Sequence, residues 1–513
     1  MKSSTFSASR FGNQSPDRFI ELGPPRKKSR EAVSKVAIRT AAWVGPRLGR
    51  IALLRRGLAN FWDHRLRKQV KAEILAGYRP AGVIQDRAAM GIAILRTIER
   101  ALAKGCLSSA TVDKLLNILV GVGLVTRGDA DAKAPFIEKY GVRPPGFLLV
   151  SPTKACNLHC QGCYADSGVT KEKLEWDIMD RMFDEARHLW GAPFLVISGG
   201  EPLIYRDRGK GMMDLFEKHD DCFFMMYTNG TLIDEDMARA MGRLGNISPA
   251  ISVEGLRLET ESRRGKGVFD RILKAMDNLR REKVFFGISM TATRDNAEKI
   301  LSDEVINFFF EEMGAMFAWV FHYMPIGRAY TLQLLPTPEQ RLWMWQRSWQ
   351  LVYDRHLFIA DFWNSGTAAK GCLAAGHRGG YMTVDWNGAV SSCVFMPYSP
   401  VNIHDIYAQG QTLNEAWAQP FFAQVRAWQD EYSHEVKYAE DGRHGNWIMA
   451  CPIRDHYAEF YEILKAYHPT PVDENAAAAM IDPEYYKGMD EYNKAVRALF
   501  EPIWTSKYLK GRG

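Results

Sequence analysis

Six short apolar runs recur between Gly146 and Pro336 and constrain the fold of the 513-residue chain more than any other feature. In order they read FLLVS, FLVIS, FFMMYT, ISPAISV, VFFGISMT and MFAWVFHY. One helical face after the first run is marked by Leu174, Ile178, Met182, Ala186 and Leu189, and VFDRILKAMDNLRRE supplies another helix after the fourth run. Strands that alternate with helices are typical of a parallel sheet. Six such units predict an α/β fold, a partial (β/α)6 TIM-like barrel that binds ligands at the C-terminal ends of its strands.

A strongly basic segment precedes this core. Between Arg26 and Arg79 the chain carries fifteen Lys or Arg residues against three Asp or Glu residues, an excess larger than the net charge of +6 of the whole protein. KVAIRTAAWV, GRIALLRRGLANFW and MGIAILRTIERALA mix apolar and basic residues at near-helical spacing. Two interpretations stay open: a helical domain with a solvated basic face, or a surface that lies on anionic lipid or docks an acidic partner. The modest overall charge gives no reason to expect nucleic acid.

Three of the eight cysteines lie within TKACNLHCQGCYAD, directly after the first predicted strand: Cys156, Cys160 and Cys163. A zinc site made of cysteines needs four ligands, and no fourth cysteine follows at a suitable distance. A bacterial ferredoxin loop would carry a further cysteine before a proline. Three thiolates can bind three irons of a four-iron cubane and leave one iron open, which is a feature of a catalytic cluster.

The C-x3-C-x2-C loop, followed by Tyr164, resembles that of the radical S-adenosylmethionine (SAM) superfamily. SGGEP (198–202) resembles the GGEP motif of this family, and TNGT (228–231), SVEG (252–255) and HYMPIGRA (322–329) are similar to its later strand ends. The resemblance covers roughly residues 146–335. It implies an enzyme whose [4Fe–4S] cluster, held by the three cysteines, cleaves SAM reductively to a 5′-deoxyadenosyl radical that abstracts hydrogen from an unactivated C–H bond.

The same resemblance implies a set of SAM contacts. This set is Tyr164, Gly199, Gly200, Glu201, Pro202, Asn229, Ser252 and Glu254. Gly199, Gly200 and Glu201 would hold the methionine part, because glycines permit close approach and a carboxylate can accept a hydrogen bond from an amino group. Ser252 and Glu254 would bind ribose hydroxyls. For Ser252 and Asn229, capping of a strand end is the alternative.

A second group of cysteines follows the core. Cys372 and Cys393 bound the pattern C-x15-G-x4-C, which resembles the opening signature of SPASM and twitch extensions that bind an auxiliary iron–sulfur cluster. Asn387-Gly388 predicts a hairpin turn between the two cysteine-bearing segments. A full SPASM domain would supply several further cysteines, whereas only Cys451 follows.

The resemblance therefore implies one auxiliary [4Fe–4S] cluster on Cys372, Cys393 and Cys451. Its fourth position is open to substrate, solvent, His444, Asp455 or His456. A zinc site with a histidine ligand, or no metal, is the alternative. The remaining Cys106 and Cys222 are expected to be inert core thiols.

The predicted organisation combines these segments. It consists of a disordered tail at 1–25, a basic helical region at 26–145, the radical SAM core at 146–335, a linker helix at 336–365, a SPASM/twitch-like domain at 366–460 and a helical tail at 461–513. In RLWMWQRSWQLVYDRH, Trp345 and Trp349 share a helix face and Trp343 does not. Packing in the core is the expectation, and lining of a substrate pocket is the alternative.

Three functions are weighed. A lipid or other apolar metabolite is the favoured substrate, because the basic amphipathic N-terminus suits an enzyme at a membrane surface. The alternative is a SPASM-type maturase of a peptide or protein, which would often carry a winged-helix module where only helices precede Gly146. The third is a non-catalytic iron–sulfur electron carrier or sensor.

Partners and location complete the expectations. A low-potential electron donor such as ferredoxin or flavodoxin would reduce the cluster. The N-terminus has no apolar signal segment, no stretch is long enough to span a bilayer, and clustered cysteines suit a reducing compartment. The expected location is the cytoplasm, with peripheral contact at the inner face of the membrane as an option.

Overall fold

The computed structural model describes residues 64, 68, 70–75, 79–115, 117–118, 130–432 and 445–509. The predicted tail at 1–25, most of the basic segment at 26–79 and the candidate ligand His444 lie outside these residues.

A ten-stranded sheet organises the described part of the chain. The strands are β1 (Phe147–Val150), β2 (Phe194–Ile197), β3 (Arg206–Asp207), β4 (Lys210–Gly211), β5 (Phe223–Thr228), β6 (Ile247–Val253), β7 (Gly287–Ala292), β8 (Phe317–His322), β9 (Phe358–Asp361), β10 (Tyr381–Val384), β11 (Ala389–Ser391), β12 (Tyr398–Ser399), β13 (Val401–Asn402) and β14 (Thr470–Pro471). The large sheet has the order β13-β11-β10-β1-β2-β5-β6-β7-β8-β9, and all neighbours from β10 to β9 are parallel. Strands β12 and β14, and β3 and β4, form small separate pairs.

The six predicted apolar runs form β1, β2, β5, β6, β7 and β8, which are neighbours in that order. This confirms the parallel α/β core, whose strands are near-continuous apolar runs. Two further strands extend this parallel core: β10, the first strand of the predicted hairpin, lies beside β1, and β9, which was not predicted, lies beside β8. Strand β9 falls within the predicted linker segment at 336–365, where the helix ends at Arg355.

Helices cover the sheet and extend it at both ends of the chain. They are α1 (Ala81–Ala103), α2 (Ser109–Lys114), α3 (Ala130–Tyr140), α4 (Trp176–His188), α5 (Met212–Lys218), α6 (Glu235–Leu244), α7 (Arg257–Arg264), α8 (Val268–Arg281), α9 (Asp303–Asn307), α10 (Pro338–Arg355), α11 (Gly366–Ala369), α12 (Ile403–Ala408), α13 (Leu413–Trp417), α14 (Pro420–Tyr432), α15 (Pro452–Asp455), α16 (Tyr457–Tyr467), α17 (Glu474–Ile481) and α18 (Pro483–Ile503). None of the described helices is both long and apolar enough to cross a bilayer.

The helices predicted from apolar spacing are present. Helix α4 buries Met182 and Ala186 as its pattern indicates, and α8 and α10 occupy the other two predicted segments. Helix α10 begins with a capping box, in which Thr337 and Gln340 exchange hydrogen bonds between side chain and backbone. Trp345 and Trp349 are buried. Neither lines the cavity that the sheet encloses, which confirms that they pack in the core.

Helix α1 is joined to the core by a buried carboxylate. Asp86 is fully buried and accepts hydrogen bonds of 2.7 Å from the hydroxyls of Tyr353, Thr367 and Tyr508. These three donors come from α10, α11 and the turn after α18. One side chain of α1 therefore fastens segments from the middle and from the end of the chain.

The sheet curves around a cavity of about 490 Å³. Strand residues in its wall are Phe147, Leu149, Phe194, Val196, Met225, Tyr227, Thr228, Ser252, Ser289, Thr291, Trp319, Phe321, His322, Phe358, Ala360, Asp361 and Tyr381. They come from all eight parallel strands, mostly two residues apart, as inward-facing positions require. Within the described residues no pairing joins β9 to β10. Helix α1 packs against α11 and β9, and Met90 of α1 reaches the cavity wall.

Candidate active site between two cysteine groups

Cys156, Cys160 and Cys163, here called the first cysteine group, lie in the loop after β1 and line the cavity. The GGEP-like segment after β2 holds this loop through backbone hydrogen bonds. Gly200 N donates to Thr153 O at 2.8 Å, and the next amide donates to the carbonyl of Ala155 at 2.8 Å. The two motifs that identify the core in the sequence are therefore bonded to each other.

The surroundings of the first cysteine group suit thiolate ligands. The amide of Leu158 donates to Cys156 Sγ at 3.4 Å, Asn229 Nδ2 lies 3.8 Å from the same sulfur, and Arg264 Nη1 lies 4.0 Å from Cys160 Sγ. Burial, together with smaller contributions from nearby negative charges, raises the pKa of Cys156 to about 11. A bound metal would supply the positive charge that stabilises the thiolate form.

Five of the predicted SAM contacts lie on the cavity wall: Tyr164, Gly199, Gly200, Asn229 and Ser252. The Tyr164 hydroxyl forms a hydrogen bond of 2.7 Å with Ser198 Oγ and accepts one from the Gly199 amide. Ser252 Oγ lies 3.2 Å from Ser289 Oγ on the neighbouring strand. The structure brings these residues together beside the first cysteine group.

The other three predicted SAM contacts do not line the cavity and lie behind its wall. Glu201 is fully buried and accepts from Thr228 Oγ1 at 2.7 Å and from the Asn229 amide at 2.8 Å. Glu254 is fully buried and accepts from the amide of Thr291 at 2.9 Å. Pro202 begins a buried turn after Glu201. Both carboxylates therefore hold neighbouring strand ends together, and their contact with SAM stays a prediction.

Two arginines at the end of α7 were missed by the sequence analysis. Arg263 and Arg264 line the cavity, and both donate to Glu254 Oε1, at 2.6 Å from Arg263 and 2.5 Å from Arg264. The segment that contains them, SRRGKG, has the composition of an ordinary exposed helix end with basic residues. The fold places their positive charge beside Cys160, where it can hold an anionic group of a ligand.

Cys372, Cys393 and Cys451, the second cysteine group, line the same cavity. The pKa of Cys372 and of Cys393 is raised to about 12, mainly by burial. In each of the three thiols, the negative charge of another cysteine of the group also acts to raise the pKa. The predicted hairpin is present, since β10 and β11 are antiparallel and Gly388 has a φ of +82°. The three cysteines thus lie close together although 79 positions separate the first from the last.

The second cysteine group also receives hydrogen bonds at sulfur. The Tyr381 hydroxyl lies 2.9 Å from Cys393 Sγ, and the Phe395 amide donates to the same sulfur at 3.5 Å. Such bonds to sulfur are common around iron–sulfur clusters and orient the ligands. The donor set therefore fits a thiolate-bound cluster.

Two of the side chains considered for a fourth ligand are engaged elsewhere. Asp455 forms a buried ion pair with Arg341 and accepts from the Cys451 amide at 3.3 Å. His456 Nε2 donates to the Met449 carbonyl at 2.7 Å. Neither residue lines the cavity. Substrate, solvent and His444 are the candidates left from the original set.

Among the described residues, neither cysteine group has side chains arranged around a single metal ion. Across the residues that the structure describes, no three His, Cys, Asp or Glu side chains converge closely enough to hold one metal ion. A zinc ion needs such convergence, because its four ligands share one centre. In a cubane each thiolate binds its own iron, so the sulfur atoms lie farther apart.

A buried polar chain forms another part of the cavity wall. His322 Nε2 donates to Asp361 Oδ2 at 3.0 Å, and His322 Nδ1 accepts from Arg454 at 2.6 Å. Burial lowers the pKa of His322 to about 4, so the ring is neutral at physiological pH. His322 and Asp361 face the cavity among aromatic neighbours and offer polar contacts to a ligand there.

Replacing Gly200 by alanine should reduce iron binding at the first cysteine group several-fold. A Cβ atom at position 200 would collide with the Ala155 carbonyl, so the loop that carries the cysteines would have to move. Displacement of metal ligands typically weakens binding by about 10- to 100-fold. Iron content after anaerobic reconstitution measures the effect.

Gly168→Ala is the matched control for this substitution. Gly168 lies in the same loop, and an added Cβ would have only His159 Nδ1 nearby, at 3.9 Å. This variant should bind iron like the wild type. Equal iron content in the Gly200→Ala variant would contradict the proposed coupling between the two motifs.

Comparisons with known proteins agree with this geometry. The sequence model of the Radical SAM superfamily matches residues 150–301. Fe-coproporphyrin III synthase of Methanosarcina barkeri is 29% identical over 151 residues, which is 29% of this chain and 37% of that protein. The mycofactocin maturase MftC of Mycolicibacterium smegmatis is 27% identical over 293 residues, or 54% of this chain and 70% of MftC.

Among solved structures, SuiB of Streptococcus suis bound to its precursor peptide SuiA is 17% identical, with a TM-score of 0.48 over 58% of this chain and 70% of SuiB. The family match covers the first cysteine group and the strand ends bonded to it. Residues 150–301 therefore form a radical SAM domain, and the [4Fe–4S] cluster and S-adenosylmethionine of this superfamily are the cofactors that the cysteine loop predicts.

Proposed function

We propose that this chain is a radical SAM enzyme that modifies a peptide or protein within the cavity between its two cysteine groups. The observation that carries this proposal is that both cysteine groups line one cavity. When bound, the first cluster and SAM supply a 5′-deoxyadenosyl radical that abstracts hydrogen from an unactivated C–H bond. The chain holds these groups, orients the substrate and keeps water away from the reacting atoms.

Cys156, Cys160 and Cys163 are the proposed ligands of the SAM-binding cluster. Gly199, Gly200, Asn229 and Ser252 are proposed to contact SAM from the adjacent wall, with Tyr164 supporting the Gly199 amide. Arg264 is proposed to attract the carboxylate of SAM, because its buried guanidinium lies near Cys160 and points toward the cavity.

A second, SPASM-like cluster is proposed on Cys372, Cys393 and Cys451. The proximity of the three thiols and the donors at Cys393 support it. A cluster in this position would border the substrate cavity, where it can accept an electron or bind the substrate. A simple electron carrier would have no use for a cavity between two clusters, which disfavours that alternative.

The comparisons support a peptide substrate more than the lipid that the N-terminus suggested. MftC, the relative matched over 54% of this chain, is named a maturase. The basic segment that favoured a lipid lies mostly outside the described residues.

An apolar metabolite is the second candidate, and the cavity wall favours it. Seven aromatic side chains of the strands face the cavity: Phe147, Phe194, Tyr227, Trp319, Phe321, Phe358 and Tyr381. Aromatic walls suit large apolar or conjugated ligands. Fe-coproporphyrin III synthase, the relative with 29% identity, carries a tetrapyrrole in its name.

The proposed surroundings of the enzyme follow from these assignments. A low-potential donor of the ferredoxin or flavodoxin type would reduce the first cluster. Clustered thiol ligands fit the reducing cytoplasm, and contact with the inner face of the membrane is proposed only for the apolar substrate.

The substrate class is tested by fractionating an extract of cells that express the protein. The reduced holoenzyme is incubated with SAM and each fraction, and 5′-deoxyadenosine release is measured. We expect an aqueous fraction to stimulate release and to lose this effect after protease digestion. Stimulation by a solvent-extracted fraction that resists protease would instead support the apolar metabolite.

A further inference from the structure

Two buried side-chain donors line the cavity together with the second cysteine group. They are Tyr381, at the start of β10, and Trp363, just after β9. Both line the cavity, and both are at least 95% buried. Among the described residues, the side-chain hydrogen bond of the Tyr381 hydroxyl is with Cys393 Sγ, and the Trp363 indole N–H has no hydrogen-bond partner.

The Tyr381 hydroxyl is fixed in place by the sheet. Tyr381 pairs with Phe147 of β1, and the two rings stack at 4.9 Å with an interplanar angle of 11°. The hydroxyl oxygen then lies 2.9 Å from Cys393 Sγ. A metal-bound thiolate has no proton to donate, so the tyrosine O–H must be the donor.

The indole of Trp363 is held equally firmly. It packs against Phe395 at 4.9 Å between ring centroids and lies 5.0 Å from the Arg454 guanidinium. Its Nε1–H has no partner with good geometry in the described part of the chain. Trp363 and Cys451 line the same cavity, so this unpartnered N–H can donate to a sulfur of a cluster bound there.

We propose that Tyr381 donates a hydrogen bond to the ligand sulfur of Cys393, that Trp363 donates to a sulfur of the second cluster, and that both bonds raise the reduction potential of this cluster. A hydrogen bond to sulfur stabilises the state with more negative charge, which is the reduced state. The effect is strengthened by burial, because the local dielectric constant is low. The inference rests on the second cluster of the proposed function. Both side chains act as positioning residues, since they act through the cysteines.

The test removes the hydroxyl and keeps the ring. Tyr381→Phe is introduced into a parent in which Cys156, Cys160 and Cys163 are alanine, so that the paramagnetic signal comes from the second cluster alone. Redox titration followed by electron paramagnetic resonance should give a more negative midpoint potential than in the parent, with equal iron content. Trp363→Phe should shift the potential in the same direction, and the double variant should shift it further.

Tyr398→Phe is the control, because Tyr398 is equally buried but its hydroxyl donates to the Ala476 carbonyl. Its potential should equal that of the parent. A Tyr381→Phe variant with full iron content and an unchanged potential would overturn this inference and leave the proposed second cluster standing. A parent that binds no iron would overturn the proposed second cluster, and the inference with it.

Discussion

Replacing Cys156, Cys160 and Cys163 together by alanine should reduce the release of 5′-deoxyadenosine to the background of a solution without protein. These three thiols are the proposed iron ligands in the loop after β1, where they line the cavity. Even loss of an outer partner of a metal ligand costs about 10- to 100-fold, so loss of three ligands exceeds this range. The measurement is anaerobic incubation with dithionite and SAM, followed by chromatography.

Two matched variants make this result specific. Cys222→Ala removes a buried thiol that does not line the cavity, and release should stay near the wild-type value. Replacing the second cysteine group by alanine should lower iron from about eight to about four atoms per chain while the first cluster still cleaves SAM. Release that persists in the first triple variant would refute the assignment of the SAM-binding cluster.

Arg341→Met should lower the free energy of unfolding by about 3–5 kcal/mol, the usual cost of removing one partner of a buried ion pair. Arg341 is fully buried and binds both oxygens of Asp455, the side chain of Asn364 and the carbonyl of Ile448. Without it, a buried carboxylate has no compensating charge. Because Asp455 also accepts from the Cys451 amide, iron at the second cysteine group should fall as well.

The comparison variant for this prediction is Arg347→Met on the same helix. Arg347 pairs with Asp303 near the surface, where an ion pair contributes about 0–1 kcal/mol. Chemical denaturation under anaerobic conditions measures both variants. A double variant with Arg341→Met and Asp455→Leu should regain stability, because apolar pairs can replace buried ion pairs. Equal losses for Arg341→Met and Arg347→Met would refute the role given to the buried pair.

Local patterns in the sequence were enough to identify the core. Each of the six apolar strands is a continuous run, and each cysteine of the first group lies within one loop, so a short window contains the whole signal. Strand β9 was missed because its short apolar run ends in Asp361, whose burial depends on His322. That partner lies on another strand and cannot be recognised from local spacing.

The candidate active site shows the same limit of prediction from local sequence patterns. Glu201 and Glu254 were expected to bind SAM, because the motifs that contain them resemble those of the radical SAM superfamily. In the structure both carboxylates bind donors from neighbouring segments, and Arg264 and Tyr381, which were not predicted, stand beside the cysteines. Which polar group turns inward is decided by contacts between distant segments. The sequence alone lists the candidates without choosing among them.

Helix α1 is a structural part of the reaction chamber. A shortened protein that starts at Gly146 would keep all six cysteines of both groups and every predicted SAM contact, yet it would lack Met90 and the hydroxyl acceptor Asp86. Water would then have a lateral entrance beside β9, and a radical formed inside could be quenched before reaching its target. Any minimal version of this enzyme for mechanistic work must therefore begin upstream of Ala81.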